Sequence, residues 1–375
     1  MASVYQKLQK HLDNLPIGFP ATETGVEIRL LQYFFTEREA QILLHLTIIP
    51  QSLKQIYRRV KHLGYSKTHL KYILDGMVEK RTITRTENKR NTKYRADMLV
   101  VGLYEYKVDN VDLELSNLML EYMQAGFRDE FFRKDTELQL RTIPVEKSFT
   151  HASPVTTYDN IRDIINQTTD ILVGNCICRQ SCDLLERPCK KTDLREWCLT
   201  FAYDGKPATW HGNKRHLTKD EALEILEKAE KVGLVLQPSN SQKPAFLCLC
   251  CGCCCGVLSE AKHLRNPAQY FESNYYSEVD TDLCIGCEVC INRCNMDAIM
   301  IINHKAVIDW DRCIGCGLCV STCPKSAIRL TFKSELDIPP KTTTGLYLRI
   351  LSKKMPKRKI FGLALRILLG LKLNH

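Results

Sequence analysis

No acidic residue follows Asp337, no apolar run of the signal-peptide kind lies between Met1 and Pro20, and no Gly-rich nucleotide fingerprint stands out in the 375 residues. The missing fingerprint leaves flavin or nicotinamide binding without support. Met1 to Pro20 carries Lys7, Lys10 and Asp13, so the 19 cysteines are expected as thiols of a cytoplasmic protein rather than a secreted disulfide scaffold. A membrane-spanning run of about twenty apolar residues is also lacking; the apolar stretch from Ile360 is shorter and is interrupted by Arg366. Apolar content is ordinary, and the length implies two or three domains with ample core. The net charge of +10 permits an anionic partner without naming one.

What is abundant is cysteine in a repeated spacing. Cys284, Cys287, Cys290 and Cys294 read C-x2-C-x2-C-x3-C, and Cys313, Cys316, Cys319 and Cys323 repeat it 29 residues later. Three thiolates two residues apart can wrap one face of an iron–sulfur cubane, and the fourth points to a neighbouring cluster. The echo extends past the ligands: Cys284-Ile-Gly-Cys287 matches Cys313-Ile-Gly-Cys316, and Ala298-Ile299 matches Ala327-Ile328. An internal duplication explains it. Zinc modules and disulfides are the alternative, but zinc modules seldom use three evenly spaced cysteines plus a fourth at this offset.

On these motifs the segment from about Tyr275 to Phe332 resembles a two-cluster bacterial ferredoxin. The resemblance implies that Cys284, Cys287, Cys290 and Cys323 bind one [4Fe–4S] cluster, and Cys313, Cys316, Cys319 and Cys294 the other. It also implies a proline after each fourth cysteine. Pro324 supplies it in the second copy, whereas Asn295 stands there in the first. Ile285, Ile314, Val320 and Ile328 are expected to pack around the ligands and exclude water.

Upstream, Thr36 with Glu39, Ser52 and Ser66 mark three helix starts, followed by strand candidates Thr82–Arg85 and Thr92–Arg95. This order resembles a winged helix, in which the third helix would enter the DNA major groove and the wing would touch the backbone. Lys67, His69 and Lys71 on the helix, with Arg85, Lys89, Arg90, Lys93 and Arg95 on the wing, are the nucleic-acid candidates. A solvated basic surface is the bland alternative. A mixed-charge helix from about Asp112 to Lys134 is expected as a linker.

Between these parts lie the other cysteines. A strand candidate at Ile171-Leu-Val leads to Cys176-Ile-Cys178-Arg179, and Val235-Leu236 with Phe246-Leu247 could pair and deliver the run Cys250-Cys-Gly-Cys-Cys-Cys-Gly256. Adjacent cysteines cannot all face inward, so some must turn elsewhere. Cys176, Cys178, Cys189, Cys198, Cys250, Cys251, Cys253, Cys254 and Cys255 offer more soft ligands than one tetrahedral ion requires, which favours a third iron–sulfur cluster over zinc. Over most of its length the chain resembles ferredoxin-like proteins of anaerobic bacteria that join a winged-helix-like start, a CxCR segment, a CCxCCC run and a two-cluster end. Within that resemblance Cys182 looks additional. A vaguer similarity to the cysteine-rich domains of heterodisulfide reductases rests on Cys250-Cys251-Gly252 alone.

Past Asp337 the basic residues cluster. Lys357, Arg358 and Lys359 beside Phe361, Leu365 and Leu368 suit a helix lying on an anionic membrane surface, or one docked on a partner or on this protein's own core. The whole reads as an α+β chain with a winged-helix-like domain (1–110), a linker helix (111–141), a cysteine-rich metal-binding domain (142–269), a dicluster ferredoxin domain (270–335) and a basic amphipathic tail (336–375). Its expected function is single-electron transfer between redox donor and acceptor proteins, in the cytoplasm at the inner face of the membrane. The alternatives are a redox-responsive DNA-binding regulator and a reductase whose cysteine-rich middle does chemistry. The enzyme question stays open, with an electron carrier or oxidoreductase subunit favoured.

Overall fold

Hydroxyl side chains mark where the amino-terminal helices begin. Ser3, Thr36 and Ser52 form capping boxes with Gln6, Glu39 and Gln55 at the heads of α1 (Val4–Asp13), α3 (Glu37–Leu43) and α4 (Leu53–Val60), and α2 (Val26–Phe34) precedes α3. Gly64, at φ 82°, ends the turn after α4, and Ser66 caps α5 (Lys67–Glu79). The computed structural model describes residues 2–88, 91–133, 136–149, 156–209, 211–356, 358–362 and 366. It divides into two units, residues 1–136 with 348–375, and residues 137–347.

In the first unit β1 (Gln51–Ser52) pairs with β3 (Asn91–Ala96), which pairs with β2 (Ile83–Asn88), all antiparallel. Tyr94 and Ala96 of β3 and Leu70, Leu74 and Met77 of α5 are buried. The helix expected from Asp112 is capped by that residue and runs as α6 (Leu113–Tyr122), with a short α7 (Arg128–Phe131) after a break at Gly126. It packs on α2 through a face that buries Leu115, Leu118, Met119 and Tyr122.

The second unit is built on a five-stranded antiparallel sheet. After α8 (Ile161–Gln167) come β4 (Asp170–Asn175), α9 (Ile177–Leu184), β5 (Glu196–Ala202), β6 (Lys214–His216), α10 (Lys219–Val232), β7 (Val235–Pro238) and β8 (Phe246–Cys250). The strand order is β6-β4-β5-β8-β7. Thr218 and Glu221 box the start of α10, and Gly233, at φ 84°, closes it. The expected pairing of the Val235 and Phe246 strands is present, with Leu236 opposite Leu249. The central β5 alternates: Trp197, Leu199 and Phe201 are buried, and Cys198 lies on the other face.

A short α11 (Gly256–Ala261) leads to the duplicated segment: β9 (Tyr275–Val279), α12 (Val289–Arg293), β10 (Ile299–Ile302), β11 (Lys305–Ile308) and β12 (Ile328–Phe332). β9 pairs with β12 and β10 with β11, both antiparallel. The first strand of one pair and the second of the other stand 29 residues apart in sequence, so the duplication is structural as well as textual. The last helix, α13 (Thr343–Lys354), buries Leu346, Ile350 and Leu351. In the first unit Lys354 on it donates to the Asp13 carbonyl at 2.5 Å and pairs with Glu130 at 3.2 Å.

Candidate metal centres

Each copy of the cysteine repeat folds around a hollow. Cys284, Cys287 and Cys290 line the first together with Cys323, and Cys313, Cys316 and Cys319 line the second together with Cys294. The empty space in and at the mouths of the hollows, counting the part open to solvent, is about 350 and about 370 Å³. Between them packs an apolar cluster that includes Ile299, Ala306, Ala327 and Ile328. Backbone N–H groups already point at sulfur: Ala298 to Cys294 and Ala327 to Cys323, each at 3.3 Å and 29 residues apart, and Ala306 to Cys284 at 3.4 Å. Four soft donors, an apolar lining and N–H groups aimed at the ligands are the donor set a cubane requires.

Burial raises the pKa of Cys290, Cys294 and Cys316, and pushes that of Cys319 up to about 12 against a lowering hydrogen bond from Ser277. A buried thiolate is costly without a cation to balance it, so cluster assembly must displace these protons.

The glycines of the repeat are fixed by close backbone approaches. At Gly315, φ 67°, an added Cβ would stand 2.1 Å from the Tyr275 carbonyl oxygen; at Gly286, φ 65°, it would stand 2.4 Å from that of His304.

The two copies differ in cover. Ile314 is 3 % exposed, whereas Ile285 at the matching position is 57 % exposed; Leu318 is fully buried, and its counterpart Val289 is 39 % exposed. Ile285 lines the first hollow as expected but leaves more than half of its surface to solvent. The second loop is covered by the segment Val145–Ser148: Val145 donates to the Cys316 carbonyl at 3.1 Å, and Ser148 fills the space a Cβ on Gly317 would need.

The middle cysteines separate into two groups. Cys189, Cys251, Cys253 and Cys254 bring their sulfurs within 4.8 Å of one another. The separation is 3.7 Å for Cys189–Cys251, 3.9 Å for Cys189–Cys253, 3.4 Å for Cys251–Cys253 and 3.7 Å for Cys253–Cys254. Cys182, which the sequence marks as additional, sits beside this group, 3.9 Å from the Cys254 carbonyl. The other group is linked by thiol contacts between Cys176 and Cys178, between Cys248 and both Cys198 and Cys250, and between Cys250 and Cys255.

Strand pairing assembles this second group: Cys198 on β5 faces Cys248 on β8 in register, and Cys250 is two residues further on the same face. Cys248 is absent from the sequence candidates, although its alternation with Cys250 in a strand is the signal that would have included it. The run after β8 thus splits as adjacent cysteines must, Cys250 and Cys255 to one group and Cys251, Cys253 and Cys254 to the other.

Arg179 lies between the groups. It is 1 % exposed, and its guanidinium donates to the Leu249 carbonyl at 3.1 and 3.2 Å and to Cys251 Sγ at 3.5 Å. Burial opposes its charge, but the thiols of Cys176, Cys251 and Cys189 hold its pKa above the ordinary value. Hydrogen bonds from Cys251, Cys253 and Cys254 hold the Cys189 thiol far below its usual range. Cys189 raises Cys251, but Cys253, Cys254 and Arg179 outweigh it, bringing Cys251 to about 6.

The cysteine-rich loop meets the ferredoxin segment next to a ligand. Asn295, which follows Cys294, is 3 % exposed; its Oδ1 accepts from Gly252 N–H at 2.9 Å and its Nδ2 donates to the Gly233 carbonyl at 2.9 Å. A Cβ on Gly252 would lie 2.3 Å from the Asn295 carbonyl oxygen. On either side, Arg293 donates to the Lys231 carbonyl at 2.9 Å, and Asp297 pairs with Lys262 at 2.7 Å. The departure from proline at Asn295 is a contact the second copy does not make: Pro324 is exposed.

Of the nucleic-acid candidates, Lys67, His69, Lys71 and Arg85 are exposed, while Lys93 and Arg95 are half-buried. Lys71 and Arg85 both pair with Asp75, at 2.5 and 3.4 Å, and Arg95 pairs with Asp97 at 3.2 Å. Lys89 and Arg90 lie outside the described residues, as do Lys357, Leu365 and Leu368 of the tail. Arg358, Lys359 and Phe361 are exposed. No helix among the described residues is long and apolar enough to cross a membrane.

A family model for the 4Fe-4S dicluster domain matches residues 277–330. That segment is a ferredoxin-type iron–sulfur domain, and its cofactors are [4Fe–4S] clusters. Searches of curated proteins and of solved structures return no match.

Proposed function

We propose that the protein relays single electrons, exchanging them with a partner protein at the first hollow and passing them through the second toward the cysteine-rich middle. Bound [4Fe–4S] clusters supply the one-electron acceptor and donor. The observation that carries the proposal is the unequal cover of duplicated positions, Ile285 at 57 % exposed against Ile314 at 3 %. Electron exchange with a partner needs a cluster edge near the surface, and among the described residues Cys287 is the one exposed cysteine. The covered copy, joined to the middle by Asn295 and Gly252, suits an internal relay. The third iron–sulfur cluster expected from the sequence has its donors in the group Cys176, Cys178, Cys198, Cys248, Cys250 and Cys255.

The test is Cys316→Ser in anaerobically purified protein, with iron, acid-labile sulfide and reduced-state electron paramagnetic resonance measured together. The variant is expected to lose about four irons, one cubane, while the remaining cluster is reduced by an external one-electron donor at the wild-type rate. If that reduction slows as much as in Cys287→Ser, entry at the first hollow is refuted.

Two finer proposals attach to the first unit. The order of a strand, two helices and a hairpin whose far strand pairs with the first supports a winged-helix-like domain. DNA binding by it is disfavoured by the pairing of Lys71 and Arg85 with Asp75 and of Arg95 with Asp97; sequence preference in a gel shift at physiological salt would reinstate the regulator. Peripheral membrane contact is supported by exposed Arg358, Lys359 and Phe361 beside the apolar tail, and co-flotation with vesicles of anionic lipid tests it.

A further inference from the structure

The four sulfurs of Cys189, Cys251, Cys253 and Cys254 are spaced for one ion rather than for a cluster. Four thiolates around a single tetrahedral ion at metal–sulfur bonds of about 2.3 Å stand about 3.8 Å apart. Four of the six separations here run from 3.4 to 3.9 Å, and all six lie within 4.8 Å. A cubane binds each thiolate to a different iron, so its ligand sulfurs must stand farther apart than those sharing one metal. The chain supplies its own comparison: among the described residues this quartet is the one group with three or more potential ligand atoms within 4.8 Å of one another, and neither ferredoxin quartet is that compact.

We propose that Cys189, Cys251, Cys253 and Cys254 hold a single tetrahedral divalent ion of the borderline-soft class, Zn²⁺ or Fe²⁺, with no bridging sulfide, in a site separate from the group Cys176, Cys178, Cys198, Cys248, Cys250 and Cys255. Three further observations support it. Cys189, Cys251 and Cys254 are buried and Cys253 half-buried, so the site is closed and leaves no open coordination position, as in structural tetrathiolate sites. Four thiolates around a divalent ion carry a net charge of about −2, and Arg179, buried without a carboxylate partner among the described residues, places its guanidinium 3.5 Å from Cys251 Sγ. Gly252, the only residue between Cys251 and Cys253, is held by Asn295, so the loop that presents three ligands is fixed in place before any ion binds. The site does not depend on electron transfer: it can hold the cysteine-rich loop against the ferredoxin segment whether or not the ion is redox-active.

The test compares the intact protein with Cys253→Ser and Cys198→Ser. Metal analysis and labile sulfide are measured on all three, and X-ray absorption at the edge of the metal found is recorded on the intact protein, where folding of a variant is not at issue. The expected result is one ion per chain beyond those matched by sulfide, bound to four sulfurs at about 2.3 Å with no metal neighbour. That ion is lost in Cys253→Ser and kept in Cys198→Ser. Zinc in the lost fraction identifies Zn²⁺, and one iron lost without sulfide identifies Fe²⁺; both uphold a single-ion site. Loss of iron and sulfide in equal numbers from Cys253→Ser, or a metal–metal distance in the absorption spectrum assigned to these four ligands, would overturn it.

Discussion

Replacing Asn295 by proline would give the first repeat the residue that the second repeat carries, and the structure says this restoration should be harmful. Asn295 is buried and satisfies two backbone groups outside the ferredoxin segment, the Gly252 N–H and the Gly233 carbonyl, each at 2.9 Å. Proline can satisfy neither. A buried backbone group left without its partner costs about 1–3 kcal/mol, so the two together cost about 2–6 kcal/mol, concentrated where the cysteine-rich loop meets α10. The clusters should survive, because Cys294 and the other ligands are untouched. The assay is native-state hydrogen exchange read at the Gly252 amide, with iron content on the same sample. The lower limit of about 2 kcal/mol corresponds to a roughly thirtyfold loss of protection. Asn295→Ala should reproduce most of the loss, separating the missing hydrogen bonds from the restricted backbone. Pro324→Asn in the second repeat, at an exposed position, should change stability by no more than about 0.5 kcal/mol. Unchanged protection at Gly252 in both Asn295 variants would refute the account.

Two further outcomes follow from buried charges in the second unit. Arg179→Met keeps much of the side-chain volume but removes the cation beside Cys251 Sγ, and outer partners of this kind change metal affinity by about 10–100-fold; release of metal to a chelator should accelerate accordingly, and an unchanged rate would show that Arg179 only packs. Glu272 is pushed up to about 8 by burial and by Asp337. Its folded form therefore keeps a proton that the unfolded chain releases near pH 4.5, and stability falls as pH rises from about 4.5 to about 8. Glu272→Gln should remove that slope and stabilise the protein above pH 8 by at most about 5 kcal/mol, as read from thermal melting at pH 5 and pH 8; parallel pH profiles for the two proteins would count against it.

What the sequence revealed depended on whether a signal was local. The two cysteine repeats are legible because three donors of each hollow lie two residues apart along the chain, and the capping box at Thr36 is legible because both partners lie within four residues. β5 is absent from the expected strands, although the alternation of Trp197, Leu199 and Phe201 is the plain signature of a half-buried strand. α1 was missed too, although Tyr5, Leu8 and Leu12 repeat at helical spacing behind the Ser3 cap. The division of the middle cysteines could not be read at all, since which way Cys250, Cys251, Cys253, Cys254 and Cys255 face is decided by the turn at Gly252, and that turn is set by Asn295, 43 residues away in sequence.

Asn295 also explains how a duplicated module can become directional. Duplication hands both copies the same ligands, the same glycine turns and the same N–H bonds to sulfur, as Ala298 to Cys294 and Ala327 to Cys323 still show. Two sites that remained identical would offer a partner two equivalent points of entry. Here the divergence lies in the residues around the ligands: proline gives way to Asn295, and the flanking Arg293 and Asp297 bond to α10 and Lys262, so that one end of the module is committed to the cysteine-rich region. At the other end Ile285 and Val289 stay in solvent where Ile314 and Leu318 are covered. Cluster potentials respond to burial and to hydrogen bonds at sulfur, so the same substitutions that fix the orientation of the module also make its two sites electrically unequal, without altering a single ligand.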